Sequence, residues 1–373
     1  MSAVVVPSPS ASSSDRIVSL DQFRGYTVAG MFLVNFIGRF KESTPPILLH
    51  HNTYCSYADV IMPHFLFAVG MALRLVMVRQ VERGGYSAAM QRGVRRSLGL
   101  IVFGFVFYTL DGEYKTWASL QELGIKGFFT ESFFREPFQA LTHIGVTSLW
   151  VLPVIALRLR WVVLFAVLSG LLHLALSHAF WYDMVYNGES KGIDGGVLGF
   201  LTWTVCVAAG AAAYEFRMKG ARECLQPLFL WGTVLMLLGY GISCIGVGGP
   251  LAPPPFWPAA TDAAGNAIVD MWTMSQRAGS LSYLTFAAGF SLVTLAFFVV
   301  ISDLKNFRLG LFTDLGQNAF AAYVIHSMVM IAWSAFGPRD APLWYAVAFT
   351  ISGCALAWAA TRWCNQRGLF FRL

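Results

Sequence analysis

Ser19-Leu20-Asp21-Gln22-Phe23-Arg24-Gly25-Tyr26-Thr27-Val28-Ala29-Gly30-Met31-Phe32-Leu33-Val34-Asn35 is the stretch whose reading decides the fold. It reads as the first membrane-spanning helix, yet it carries three side chains that lipid does not tolerate. At 3.6 residues per turn, Asp21, Arg24 and Asn35 fall within roughly 60° of one another. Asp21 and Asn35 are separated by about 21 Å of helix axis at about 1.5 Å per residue. A polar stripe of that length crosses most of a hydrocarbon core about 30 Å thick. Such residues must face the bundle interior or a water-filled cavity, and their first reading is functional. The plainer reading is an Asp21–Arg24 ion pair that only fixes helix packing.

Composition points the same way. The 373 residues are 56% hydrophobic and 12% charged, with 31 Phe and 12 Trp. A soluble domain is usually about 25% charged. The chain is therefore expected to be all-α, a polytopic integral membrane helix bundle. The net charge of +6 gathers at helix ends and is no nucleic-acid signal. The six cysteines form no CxxC and no metal spacing, so no metal is expected. Residues 1–15, rich in Ser, Pro and Val, read as a flexible cytoplasmic tail, and 16–373 as one transmembrane domain.

Apolar runs of about 20 residues predict about ten spans. They lie near 20–40, 57–78, 94–110, 138–157, 161–179, 196–214, 226–246, 280–302, 316–335 and 342–363. With the N-terminus in the cytoplasm, the cytoplasmic segments hold about twice as many Lys and Arg as the outer ones. The loop 79–96 alone carries Arg79, Arg83, Arg92, Arg95 and Arg96. The positive-inside rule thus places both termini in the cytoplasm. Of the long outer loops 41–56, 111–137 and 247–279, the last holds Pro253-Pro254-Pro255 and is expected to fold over the outer mouth.

Chemistry-bearing residues cluster in three places. His50-His51-Asn52 lies just before span 2, on whose face Asp59, Pro63, Gly70 and Arg74 align. A histidine there could take a proton from an acceptor, with Asp59 or Asn52 orienting its ring. A pair of solvated loop histidines is the bland alternative. In span 9, Asn318, Tyr323 and His326 spread over about 140° of helical arc, and His326 sits near mid-bilayer. A neutral histidine bonded between helices explains it equally well. The Arg-rich loop could meet phosphates as well as set topology. His64, His143, His173 and His178 read as structural. No Walker motif, HExxH or GxSxG appears, which argues against an ATP-driven pump, a zinc hydrolase and a serine esterase.

These residues resemble a known family, the transmembrane acetyltransferases typified by heparan-α-glucosaminide N-acetyltransferase and its bacterial relatives. The matching pieces run in family order. They are Ser19-Leu20-Asp21…Arg24-Gly25 with Met31…Val34-Asn35, then Ala58-Asp59…Pro63…Phe65…Phe67…Val69-Gly70. Leu141…Ile144-Gly145-Val146-Thr147 and Gly195-Gly196-Val197-Leu198-Gly199 follow. Trp272 with Ser280-Leu281-Ser282-Tyr283, and Gly316…Asn318…Tyr323…His326, complete the set. The resemblance implies acetyl-CoA as co-substrate on the cytosolic side and an amino sugar or glycan acceptor across the bilayer. It implies Asn35 and a first-loop histidine, His50 or His51, as catalytic, with Asp59 beside them. Where family members carry a Trp-x-Gly-like turn after that histidine, this chain has Asn52-Thr53-Tyr54-Cys55, and both histidines remain candidates. His143 stands where relatives often carry Arg. A bacterial-type member of the inner membrane is expected, with lateral homodimers compatible.

In this reading Asp21, Arg24, Arg74, Asn318, Tyr323 and His326 would line the donor's path, and Asn35 would hold the thioester carbonyl. A secondary transporter for sugars is the alternative from another class, because intramembrane Asp, Arg and His also mark proton-coupled pathways. Inverted repeats would favour it, and none is evident. A non-catalytic scaffold is the third option, against which the polar stripes count.

Overall fold

The structure is a computed structural model and describes residues 17–109, 116–127, 138–188, 192–246, 252, 254–258, 265 and 267–371. The tail expected at 1–15 lies outside these, as do Pro253 and much of the expected loop 111–137. The described residues form helices and connecting turns, with no strand. Helix α1 is Val18–Ile37 and α2 is Tyr57–Thr109. A short helix α3, Trp117–Gly127, follows. Then come α4, Ala140–Ile155, α5, Leu159–Leu176, α6, Phe200–Met218, and α7, Leu225–Ser243. The last are α8, Leu281–Phe298, α9, Gly310–Gln317, α10, Ala319–Trp333, and α11, Leu343–Gln366. Seven of the described helices are long and apolar enough to cross a membrane, so the chain is an integral membrane protein.

Two expectations about continuity are corrected. The Arg-rich segment 79–96 is helix, not loop: α2 runs 53 residues and is broken inside only at Gly85, φ 77 and ψ 168. That conformation suits a residue without a Cβ, so one glycine replaces the expected connection between spans 2 and 3. Span 9 is not one helix either. It divides at Asn318, φ −132 and ψ 46, into α9 and α10. Asn318 therefore does not share a helical arc with Tyr323 and His326.

The bundle is organised around α1. Leu20 and Phe23, near its start, pack into a core built from α2, α4, α6 and α8. Val28, Met31, Phe32, Val34 and Phe36 pack into a second core with α10 and α11. Close helix contacts come from reciprocal glycines. A Cβ on Gly25 would lie 1.9 Å from the Phe312 carbonyl oxygen, and one on Gly316 would lie 2.0 Å from that of Asp21. Gly70 and Gly210 bring α2 and α6 together in the same way. Small residues at crossings are how helices associate where lipid removes the hydrophobic drive. By contrast α5, α7, α10 and α11 are mostly exposed. They present Leu168, Leu171, Trp231, Leu237, Ile331 and Ile351 outward, as lipid contact requires.

Candidate active site

The loop after α1 is stapled to the first turn of α2. Ser56 caps that helix: its N–H donates to Asp59 Oδ2 at 2.9 Å, and the Asp59 N–H donates back to Ser56 Oγ at 3.3 Å. This is a capping box with Asp in the third position, and the helix N-terminus also favours a carboxylate there. Asp59 is 1% exposed. Its Oδ2 also takes the His51 N–H at 3.3 Å, while Tyr283 donates its hydroxyl to the Asp59 carbonyl.

Asp59 Oδ1 faces His50 Nδ1 at 3.0 Å. A carboxylate can only accept, so Nδ1 carries the hydrogen, and in the neutral ring Nε2 keeps its lone pair. The His50 side chain is 48% exposed, so the ring has one edge on a buried acid and the rest open to an incoming group. Burial pulls the His50 pKa down, but the Asp59 hydrogen bond and charge, followed by Asp194 and Gln276, outweigh it and the net shift is upward. His51 is placed differently. Its Nε2 donates to the Pro46 carbonyl at 2.7 Å and its ring stacks on Tyr54 at 4.2 Å. Of the two histidines, only His50 has its ring on Asp59.

A second carboxylate, which sequence reasoning missed, stands beside His50. Asp194 is 6% exposed and its φ of 52° is followed by 83° at Gly195 and 60° at Gly196. This left-handed run is locked from several sides. Trp203 Nε1 donates to the Asp194 carbonyl at 2.7 Å and Trp181 Nε1 to that of Gly195 at 3.1 Å. The Gly195 N–H reaches the Arg277 carbonyl at 3.0 Å. Gln276 Nε2 donates to Asp194 Oδ1 at 3.0 Å, and the same side chain helps raise the His50 pKa. Burial pushes the Asp194 pKa up to about 6 against the lowering effects of Gln276 and His50, and Asp59 adds to the rise. The signal for Asp194 was present in sequence as an acid directly before the Gly195-Gly196 pair. Gln276 carried none.

Asn35 lies in the last turn of α1, half-buried, and its amide makes no hydrogen bond to a described residue. On the same turns, Phe32 stacks on His326 with centroids 5.0 Å apart, and Phe36 meets that ring edge-on at 5.4 Å. Both His326 nitrogens are buried without a partner among the described residues. Tyr323 and Tyr108 join hydroxyls at 2.8 Å.

The remaining donor-path residues divide. Arg24 pairs with Asp21 at 3.9 Å, and Arg96 on α2 is close enough to Arg24 for the two cations to repel. Arg74 is committed elsewhere. It bonds Glu215 through Nε at 2.9 Å and Nη2 at 2.5 Å, and Nη1 donates to the Ile155 and Leu157 carbonyls. Asn318 donates to Asn365 and to the Leu369 carbonyl and accepts from the Phe371 N–H, tying the end of the chain to the α9–α10 break. Of the histidines expected to be structural, His64 bonds Ser291 at 2.7 Å, His143 lies against Phe138 and Trp203, His173 is buried and His178 is exposed.

The described fold is a membrane helix bundle in which a buried carboxylate bonds one ring nitrogen of a half-exposed histidine. The family model for the catalytic region of heparan-alpha-glucosaminide N-acetyltransferase matches residues 16–239, more than half of the chain and the part that holds Asn35, His50, Asp59 and Asp194. This chain belongs to that family, one of membrane acetyltransferases. It is also 30% identical over 99 residues to an uncharacterized 39.9 kDa protein in the amylase 3' region of Bacillus acidopullulyticus. That stretch spans 25% of this chain and 28% of the relative.

Proposed function

We propose that the protein moves an acetyl group from cytosolic acetyl-CoA to the amine of an amino sugar or related glycan at the opposite membrane face. The observation that carries this reading is the His50 Nδ1–Asp59 contact at 3.0 Å on a half-exposed ring. The arrangement presents a base with its proton-accepting nitrogen outward. In this account the bundle crosses the bilayer about ten times, each limb of α2 crossing once, with both termini in the cytoplasm and the bacterial inner membrane as its site. The single domain from residue 16 onward carries the whole reaction.

The donor enters where Arg24 and Arg96 lie together. The two guanidinium groups, one of them beside Asp21, form a cationic spot that the CoA phosphates complement through charge-assisted hydrogen bonds. Asp21 orients Arg24 there. Arg74 has no part in this, because Glu215 and two carbonyls occupy its donors. The pantetheine follows α1 toward Asn35, whose amide donates to the thioester oxygen as charge develops on it. Tyr323 and His326 line the wall opposite. The acceptor nitrogen attacks the carbonyl carbon, His50 Nε2 takes its proton, and Asp59 stabilises the imidazolium. The C–S bond breaks and His50 returns the proton to the departing thiolate.

The test is transfer of labelled acetyl from acetyl-CoA to glucosamine by protein in sealed liposomes, donor on one side and acceptor on the other. Acetylated sugar in the acceptor compartment supports the reading. Uptake of unmodified sugar without donor supports a transporter and refutes it.

A further inference from the structure

His50 has two acids near it, and the base step uses one. Asp59 is saturated: Oδ1 faces His50 and Oδ2 takes the N–H groups of His51 and Ser56. Asp194 is not. Its Oδ1 takes Gln276, and no hydrogen bond from a described residue reaches Oδ2. A carboxylate on a residue only 6% exposed is costly to keep ionised. The fold nonetheless holds this one in a left-handed conformation through Trp203, Trp181 and the Arg277 carbonyl, and strained conformations of this kind cluster at functional sites.

We propose that Asp194 is the acceptor-binding carboxylate of this site, that it receives the protonated amine and takes its first proton, and that it thereby makes the enzyme select amines over hydroxyls. The inference rests on the acetyltransferase reading above. An ammonium nitrogen has no lone pair and cannot attack. One N–H proton passes to Asp194, which becomes the neutral acid. The freed lone pair forms the C–N bond as the C–S bond breaks. The second proton goes to His50 and on to the thiolate, and Asp194 returns its proton to water. The sum is R–NH3+ plus acetyl-CoA giving the amide, CoA–SH and one proton. An aspartate of ordinary acidity is a poor base for an ammonium, and burial makes Asp194 a better one by raising its pKa to about 6. The ionisable groups that sense Asp194 are His50, Tyr108, Tyr283 and Tyr323, with Asp59 acting on it in turn. Asp194 and His50 feel one another's charge, and Gln276, which bonds Asp194, acts on both.

The test compares the wild-type protein with Asp194→Asn, using acetyl-CoA as donor and glucosamine or glucose as acceptor. Asn tolerates positive φ, so the loop is kept, and unchanged acetyl-CoA affinity reports an intact fold. The expected result is a KM for glucosamine raised about 10- to 100-fold, the range of a lost charge-assisted hydrogen bond. The KM for acetyl-CoA should stay unchanged. In the wild type, KM for glucosamine should climb as pH falls below about 6, and that limb should vanish in the variant. Gln276→Leu, which leaves the carboxylate, is the second variant: it should preserve the preference for glucosamine over glucose. A glucosamine KM and pH limb unchanged in Asp194→Asn, with the wild type active, would overturn the role of Asp194 alone. A wild type equally active on glucose and glucosamine does the same without any variant. A wild type that transfers acetyl to neither sugar overturns the parent reading and this one together.

Discussion

Replacing Asp59 by Asn keeps the shape of the site and removes its charge. The carboxylate does two things for His50: it holds the hydrogen on Nδ1, and it stabilises the imidazolium. A hydrogen bond to a charged group is worth about 1.5–3 kcal/mol. His50 is 48% exposed, so solvent screening places this one at the low end, about 1.5 kcal/mol. The sign follows from the direction of the shift. Asp59 helps raise the His50 pKa, and the base form exists above that pKa. The acid limb of kcat/KM should therefore move to lower pH in Asp59→Asn. Its plateau should fall by roughly 100- to 10,000-fold, since an amide NH2 facing Nδ1 drives the ring hydrogen onto Nε2, the atom that must accept the proton. The assay is acetyl transfer to glucosamine from pH 5 to 9. A limb that stays in place or moves to higher pH, with the plateau retained, would refute the pairing of His50 with Asp59 as the source of the base.

Asn35→Ala should lower kcat by about 100-fold or more if the amide meets the developing oxyanion. Unchanged single-turnover rates would remove it from the mechanism. Arg24→Gln should weaken acetyl-CoA binding by roughly tenfold or more through loss of a phosphate contact. Arg74→Ala should leave that affinity intact in folded protein but lower stability by about 2 kcal/mol, as its partner Glu215 is 37% exposed and partly screened; calorimetry and thermal melting separate the two. Gly25→Ala should destabilise the bundle by at least about 1–3 kcal/mol, because its Cβ would lie 1.9 Å from the Phe312 carbonyl oxygen on α9; an unchanged melting temperature would contradict that close crossing. Asp194→Asn should be more thermostable than wild type at neutral pH. A carboxyl raised from 3.8 to about 6 in the fold binds more protons there than when unfolded, so its contribution to stability falls by about 3 kcal/mol as pH rises from about 4 through 6. Equal melting curves for both proteins at pH 5 and pH 8 would show that Asp194 is not held as a raised acid.

By itself the sequence determined the class. Helical apolar runs in a chain only 12% charged leave few folds open, because every backbone polar group within lipid must be bonded inside its own segment. The polar face of α1 was legible because periodicity of 3.6 puts Asp21, Arg24 and Asn35 on one side whatever surrounds them. Local patterns also placed Asp59 near a histidine. What only the tertiary structure decided depends on contacts between segments far apart in the chain. His50 and His51 are neighbours with the same chemistry, and the turn at Pro46–Leu48 with the Ser56 cap brings only the His50 ring to Asp59. Arg74 shares a helical face with Asp59 in the sequence, and the fold pairs it with Glu215, 141 residues later. Asn318 reads as part of a helix, and is instead where the helix breaks and the chain's end is tied down. Asp194 and Gln276 lie 82 residues apart, and neither has a periodic pattern that points to the other. Helical periodicity is a property of neighbours on one helix, whereas a site is assembled from the ends of several, so its members become visible only once the bundle has closed around α1.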